Sequence, residues 1–272
     1  MSSDLPEDRA DEPSRRTSAA RSGGTDRIGV PVRGPFLAAA GTCPRCATSI
    51  RRMTSADRLR ALLSDRGNER SLAAKSRARR LATFLKHHPS LAEMRVLDLG
   101  GTAEWWDAVP SDRHPKEVVT LNLEKPHNGS DRVHHRYGDA CDPPRDLRHS
   151  FDLVFSNSLL EHVGGHWRRQ RLADVIRAAA PRHWVQTPYR YFPIEPHYIF
   201  PGHQFLPLVA RALIAEHWPL TGYPGRKAEA ALRLAAETEL VSLTEFRLLF
   251  PDAEILLERF AGLPKSLVAV RS

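Results

Sequence analysis

Two rhythms of apolar and polar positions alternate along the chain from about residue 57 onward. Residues 57–64 and 69–88 carry a helical repeat. In the second segment Leu72, Ala73, Ala78, Leu81, Phe84 and Leu85 fall roughly on one stripe. Strand-like runs follow at 94–100, 117–124, 133–140, 151–158 and 183–188. Helical patterns occupy 104–110, after the first run, and 167–180, before the fifth. This rhythm predicts an α/β fold: a mostly parallel sheet with helices on both faces. Two further runs, 252–260 and 265–272, flank Gly262-Leu263-Pro264. A connection that short excludes a parallel crossover, so this pair is expected to be antiparallel. Residues 205–218 predict one more amphipathic helix, and no internal repeat is visible.

Composition sharpens the outline. With 272 residues and 41% hydrophobic content, the chain can build a sizeable core. Residues 1–33 are rich in Ser, Gly, Pro, Asp, Glu and Arg, with little to bury, and are expected to form a disordered tail. Residues 34–90 read as a basic helical extension, and 91–272 as the main domain, with an insertion at about 187–226. The net charge of +8 is concentrated: Arg51 to Ser90 holds 11 Lys/Arg against 3 Asp/Glu. An arginine-rich solvated helix face explains this stretch, although a basic patch also attracts nucleic acid or anionic lipid. No run of about 18 apolar residues is present, and none follows Arg15-Arg16. The expectation is a cytoplasmic protein without a transmembrane segment. Three cysteines cannot close a disulfide framework. Cys43 and Cys46 form one Cys-x-x-Cys pair, half of what a structural zinc site needs, so no metal is assigned.

Candidate chemistry gathers where strands end. In an open parallel sheet, ligands bind at the carboxyl edge near the switch point. Asp98, Gly100 and Gly101 close the first run, Asn122 and Glu124 the second, and Gly138, Asp139 and Ala140 the third. Ser156, Asn157 and Ser158 close the fourth, and Gln186 and Thr187 the fifth. Glycines allow close backbone approach to a ligand. An acid or amide after the second strand can bind ribose hydroxyls, and Asp139 can accept from an exocyclic amine. Together they outline an adenosine site.

In "VLDLGG", "VVTLNLE", "YGDA" and "FDLVFSNSLLEHV" the sequence resembles the class I S-adenosylmethionine-dependent methyltransferases, particularly the bacterial type 11 group. The resemblance covers about residues 70–190 and the terminal strand pair. It implies a Rossmann-like seven-stranded methyltransferase sheet with an antiparallel C-terminal strand. It also implies S-adenosyl-L-methionine as cofactor. Asp98, Gly100 and Gly101 would hold its amino-acid part, and Asn122 and Glu124 its ribose. Asp139 and Ala140 would hold its adenine, with Asn157 near the methyl-sulfonium end. The chain departs from that group in its glycine turn, which reads Gly100-Gly101-Thr102-Ala103-Glu104, and in Asn122, which stands where an acid is usual.

Methyl transfer from a sulfonium is an in-line displacement, so the protein mainly aligns the acceptor and excludes water. A hydroxyl acceptor benefits from a general base. His162 in "LLEHV" is one candidate, with Glu161 beside it; Glu195 and His197 are alternatives. They lie in "QTPYRYFPIEPHYIFPGHQ", where four prolines exclude a long helix and Tyr189 and Arg190 would contact the acceptor. The expected acceptor is a small molecule or a lipid- or sugar-linked intermediate. A dinucleotide oxidoreductase is disfavoured because Gly-x-Gly-x-x-Gly is absent. An RNA methyltransferase lacks its stacking platform here, so nucleic acid is not the expected partner. The alternatives are a catalytically inactive cofactor-binding relative and an RNA methyltransferase, which would bind RNA salt-sensitively through residues 51–86. The sequence does not specify the oligomeric state.

Overall fold

The computed structural model describes residues 55–64, 71–124, 132–221 and 227–272. The expected tail, Cys43 and Cys46 lie outside these residues. Five parallel strands come first: β1 (Arg95–Leu99), β2 (Glu117–Asn122), β3 (Val133–Tyr137), β4 (Leu153–Asn157) and β5 (Arg182–Pro188). The hairpin β6 (Glu254–Phe260) and β7 (Leu263–Arg271) completes a seven-stranded sheet in the order β3-β2-β1-β4-β5-β7-β6. Strand β7 runs antiparallel to both β5 and β6. The expected antiparallel pair is therefore present, and the whole has the Rossmann-like methyltransferase topology. Ala261 and Gly262 turn the hairpin with φ of 48° and 83°, the left-handed pair that tight hairpins favour.

Around the sheet lie α1 (Ser55–Ser64), α2 (Leu72–His87), α3 (Ala103–Asp107), α4 (Gly165–Ala179), α5 (Leu208–His217), α6 (Ala228–Glu237) and α7 (Leu243–Leu249). Successive side chains of a strand point to opposite faces, and β1 divides accordingly. Leu97 and Leu99 pack with Leu172 and Ile176 of α4 and Phe246 of α7. Val96 packs on the other face with Phe84 of α2 and Trp106 of α3. On that second face Phe84, Trp106, Phe155 and Trp184 meet edge-on, with centroids 5.2 to 6.2 Å apart. Offset edge-to-face contacts suit the ring quadrupoles. They hold α2 and α3 against the sheet.

Several boundaries differ from the sequence expectation. β2 stops at Asn122 rather than 124, so strand alternation does not apply to Glu124, which is exposed. β3 stops at Tyr137, and Asp139 then bridges Asp142 in a turn. After β5 a two-residue ladder pairs Ile194–Glu195 with Phe200–Pro201. Beyond it Tyr198, Ala215, Ala231 and Leu234 form a small core of their own. This packing carries the unit after β5 into α6, past residue 226. Among the described residues no helix is long and apolar enough to cross a membrane.

His88 and His183 are buried, and neither ring makes a hydrogen bond. Burial pushes both down from 6.5 to about 4. Between those values the unfolded chain binds more protons than the folded one, so stability falls as pH drops through that window. Each histidine contributes up to about 3 kcal/mol to this loss. Urea unfolding at pH 7 and pH 5 should show a lower midpoint at pH 5, and His183→Leu should flatten the dependence. An unchanged pH dependence in the variant would contradict this assignment.

Candidate active site

Asp98 stands one residue before the end of β1, on the α2/α3 face, fully buried. Its Oδ2 accepts a 2.8 Å hydrogen bond from Trp106 Nε1, whereas its Oδ1 accepts none. Burial, opposed by the Trp106 bond, raises its carboxyl from 3.8 to about 7. A buried oxygen without a donor is costly, so this carboxylate is poised for a donating or cationic ligand.

The glycines give Asp98 its space. A Cβ on Gly101 would lie 1.7 Å from Asp98 Oδ2. Gly100 has φ of 80° and meets Leu159, and its N–H donates to Leu121 O across the sheet at 3.0 Å. Asn122 Nδ2 donates to Gly101 O at 2.8 Å, so the amide expected to meet ribose also pins the glycine turn. Glu124 lies beyond β2 and takes no part in this arrangement among the described residues.

Asp139 is already engaged. Arg168 Nη2 donates to both its oxygens at 2.9 and 2.8 Å, and Cys141 N–H donates to Oδ1 at 2.9 Å. Ala140 and Cys141 beside it are buried. Burial pushes the Cys141 thiol up to about 11, so it is no thiolate. Asn157 Oδ1 accepts from Arg80 Nη1 at 2.9 Å. Arg80 in turn grips Glu258 through Nε at 2.7 Å and Nη2 at 2.6 Å. Sequence reasoning passed over Arg80. The available signal was an arginine four residues before Phe84, on the helix stripe that faces the sheet.

A second group lies past the ends of β4 and β5. The turn Leu160–His162 follows β4, and the loop after β5 returns His197 to it. His162 Nε2 and His197 Nε2 lie 3.1 Å apart. His197 Nδ1 is 2.6 Å from Glu195 Oε1, and Glu195 Oε2 accepts from the His197 and Tyr198 N–H groups. Glu161 is fully buried; its Oε2 accepts from Thr187 Oγ1 at 3.0 Å. Its Oε1 accepts no hydrogen bond and lies 3.9 Å from His162 Nε2. Burial disfavours charge on His197, but Glu195 outweighs it and holds the imidazole above its usual range. Burial and then His197 push His162 down to about 3. Burial also raises Glu161. The fold thus brings the three sequence-predicted bases, His162, Glu195 and His197, into one cluster.

Tyr189 and Arg190 open the loop after β5. The Tyr189 N–H bonds Lys265 O, and the Arg190 N–H bonds Val241 O. Gln204 Nε2 donates to Arg190 O at 2.9 Å and to Phe192 O at 2.8 Å, which braces this loop. Tyr189 meets Tyr191 edge-on at 5.6 Å, and Tyr191 stacks on Phe205 at 5.9 Å.

The chain matches no protein-family model and no curated protein. Solved structures resemble it at low identity. An S-adenosylmethionine-dependent methyltransferase from Mesorhizobium loti is 16% identical, with TM-score 0.47 over 72% of this chain and 98% of that one. A proposed O-methyltransferase from Nostoc punctiforme is 15% identical, with TM-score 0.43 over 71% of this chain and 56% of that one. A proposed zinc-dependent alcohol dehydrogenase from Rhodobacter sphaeroides is 14% identical, with TM-score 0.46 over 71% and 87%. These proteins differ in activity, and the chemistry of this site rests on its own residues.

Gly101→Ala should force Asp98 off its Trp106 bond and lower stability by about 1–3 kcal/mol, as overpacking in a core does. Denaturant unfolding of the variant measures this. Wild-type stability would contradict the contact.

Proposed function

We propose that the protein is an S-adenosyl-L-methionine-dependent methyltransferase acting on a small molecule or a lipid- or sugar-linked acceptor. The observation that carries the reading is Asp98, a buried carboxylate with one donorless oxygen at the carboxyl end of β1. The α-ammonium of the cofactor would supply the missing donor, and its positive charge would favour the ionised carboxylate. Gly100 and Gly101 would admit the ligand close to the backbone, Asn122 would meet the ribose from its place beside Gly101, and the Asp139–Ala140 turn would adjoin the adenine.

Asn157 and the Glu161–His162–His197 cluster would then border the methyl end. The transfer breaks the carbon–sulfur bond as the acceptor forms its new bond to carbon, and the electron pair stays on sulfur. The protein's part is to align the acceptor and take up a proton if the acceptor is a hydroxyl. Glu195 fixes the orientation of His197 within that cluster. An apolar portion of the acceptor is supported by the exposed, stacked pair Tyr191 and Phe205 in the loop after β5. Arg190, next to Tyr191 in the loop after β5, suits an acidic group.

Calorimetric titration of the full chain tests the reading. S-adenosylmethionine should bind with micromolar affinity and NADH should give no heat. Asp98→Ala and Asp98→Asn should weaken binding at least tenfold while circular dichroism stays unchanged. A folded wild-type chain that binds no S-adenosylmethionine would overturn the proposal.

A further inference from the structure

We propose that Glu161, His162 and His197 form a binding site for a divalent first-row transition metal ion, which takes an oxygen of the methyl acceptor as a further ligand. The second half of this inference rests on the methyltransferase reading; the metal site itself does not.

Donor geometry is the first argument. One ligand atom from each of Glu161, His162 and His197 falls within 4.8 Å of the others. Nitrogen and oxygen donors bind such ions at about 2.0–2.2 Å, so neighbouring donors in a tetrahedral shell lie roughly 3.3 Å apart. The two imidazole nitrogens are already 3.1 Å apart. Glu161 Oε1, at 3.9 Å from His162 Nε2, needs only a small side-chain adjustment.

Satisfaction of buried charge is the second argument. Glu161 is fully buried and Glu195 is 1% exposed. Glu195 is satisfied by His197 and two backbone N–H groups, so the costly group is Glu161, whose buried Oε1 has no donor. A divalent ion gives Oε1 its partner.

The supporting contacts are the third argument. A metal-bound histidine usually donates its other ring N–H to a carboxylate, which fixes its tautomer and orientation. His197 does this to Glu195, which is itself clamped by two backbone N–H groups. Thr187 from β5 holds Oε2 of Glu161 and leaves Oε1 facing the cluster. Two imidazoles and one carboxylate suit ions of intermediate softness such as zinc, iron(II), cobalt(II) and manganese(II), with positions left open for other ligands.

In the transfer step, an acceptor hydroxyl bound to the ion loses its proton to solvent more readily. The resulting oxyanion attacks the sulfonium methyl: the carbon–oxygen bond forms, the carbon–sulfur bond breaks, and sulfur keeps the electron pair. No oxidant or reductant enters.

The test is titration of the full chain, freed of metal by chelator, with Co²⁺ followed by visible absorption and then displaced by Zn²⁺. One equivalent of Co²⁺ should produce ligand-field bands without the intense near-ultraviolet bands of a thiolate. His162→Ala and Glu161→Gln should each weaken binding at least tenfold. In the wild-type complex a hyperfine-shifted exchangeable proton should report His197 Nδ1–H, which keeps the test independent of how the variants fold. Catechol should perturb the bands by entering an open position. No Co²⁺ binding by folded protein, or binding with thiolate bands that both variants leave unmoved, would overturn the site. Bands indifferent to catechol would overturn the acceptor role. Metal binding without S-adenosylmethionine binding would leave the site standing and remove the methyltransferase reading; the converse would do the opposite.

Discussion

The hydrogen bond from Trp106 to Asp98 is the constraint around which the cofactor side is arranged. It fixes a carboxylate inside the sheet's aromatic face, where burial alone would keep it neutral. Three other features follow from that placement. Gly101 has no room for a side chain because Asp98 occupies it. Asn122 reaches back to Gly101 rather than standing free in the ligand space. The edge-on packing of Phe84, Phe155 and Trp184 holds Trp106 in the position from which it donates. A chain with the same sheet and no indole at that position would leave two buried carboxylate oxygens unsatisfied. The site is therefore built from the α2/α3 layer as much as from the strand ends.

The opposite side of the proposed cleft is organised by a different interaction, the clamp of Glu195 on His197. The short ladder after β5 brings Glu195 back towards the turn after β4, so two segments distant in sequence share one cluster. Arg80 plays a comparable part nearby: it joins α2 to Asn157 and, through Glu258, to the C-terminal hairpin. One arginine of the basic stretch before the sheet thus serves as an internal connector.

Much of the fold was legible because its signals are local. Strands buried on both faces leave continuous apolar runs, and Gly262 beside two such runs marks a hairpin. Asp98 stood out as an acid ending an apolar run, and the glycines after it stood out for their freedom of approach. Boundaries were less legible. Leu123 and Glu124 continue the strand pattern of β2, yet pairing with β3 ends at Asn122, which only the register decides. The engagement of Asp139 by Arg168 depends on α4 lying over the turn, a contact 29 residues away. The meeting of His162 with His197 spans 35 residues and a loop whose path no periodicity describes. Sequence identified both histidines separately as bases; their juxtaposition, with Glu161, is a tertiary fact.

The central claim is that one adenosyl ligand spans the ends of β1 to β4. Hydrogen–deuterium exchange of the full chain with and without S-adenosylhomocysteine tests it most directly. The account predicts protection at residues 98–106, at 122, at 138–141 and at 157–163, with residues 111–117 at the amino-terminal edge of the sheet unchanged. Unaltered exchange at saturating ligand, or protection confined to segments away from these strand ends, would contradict it.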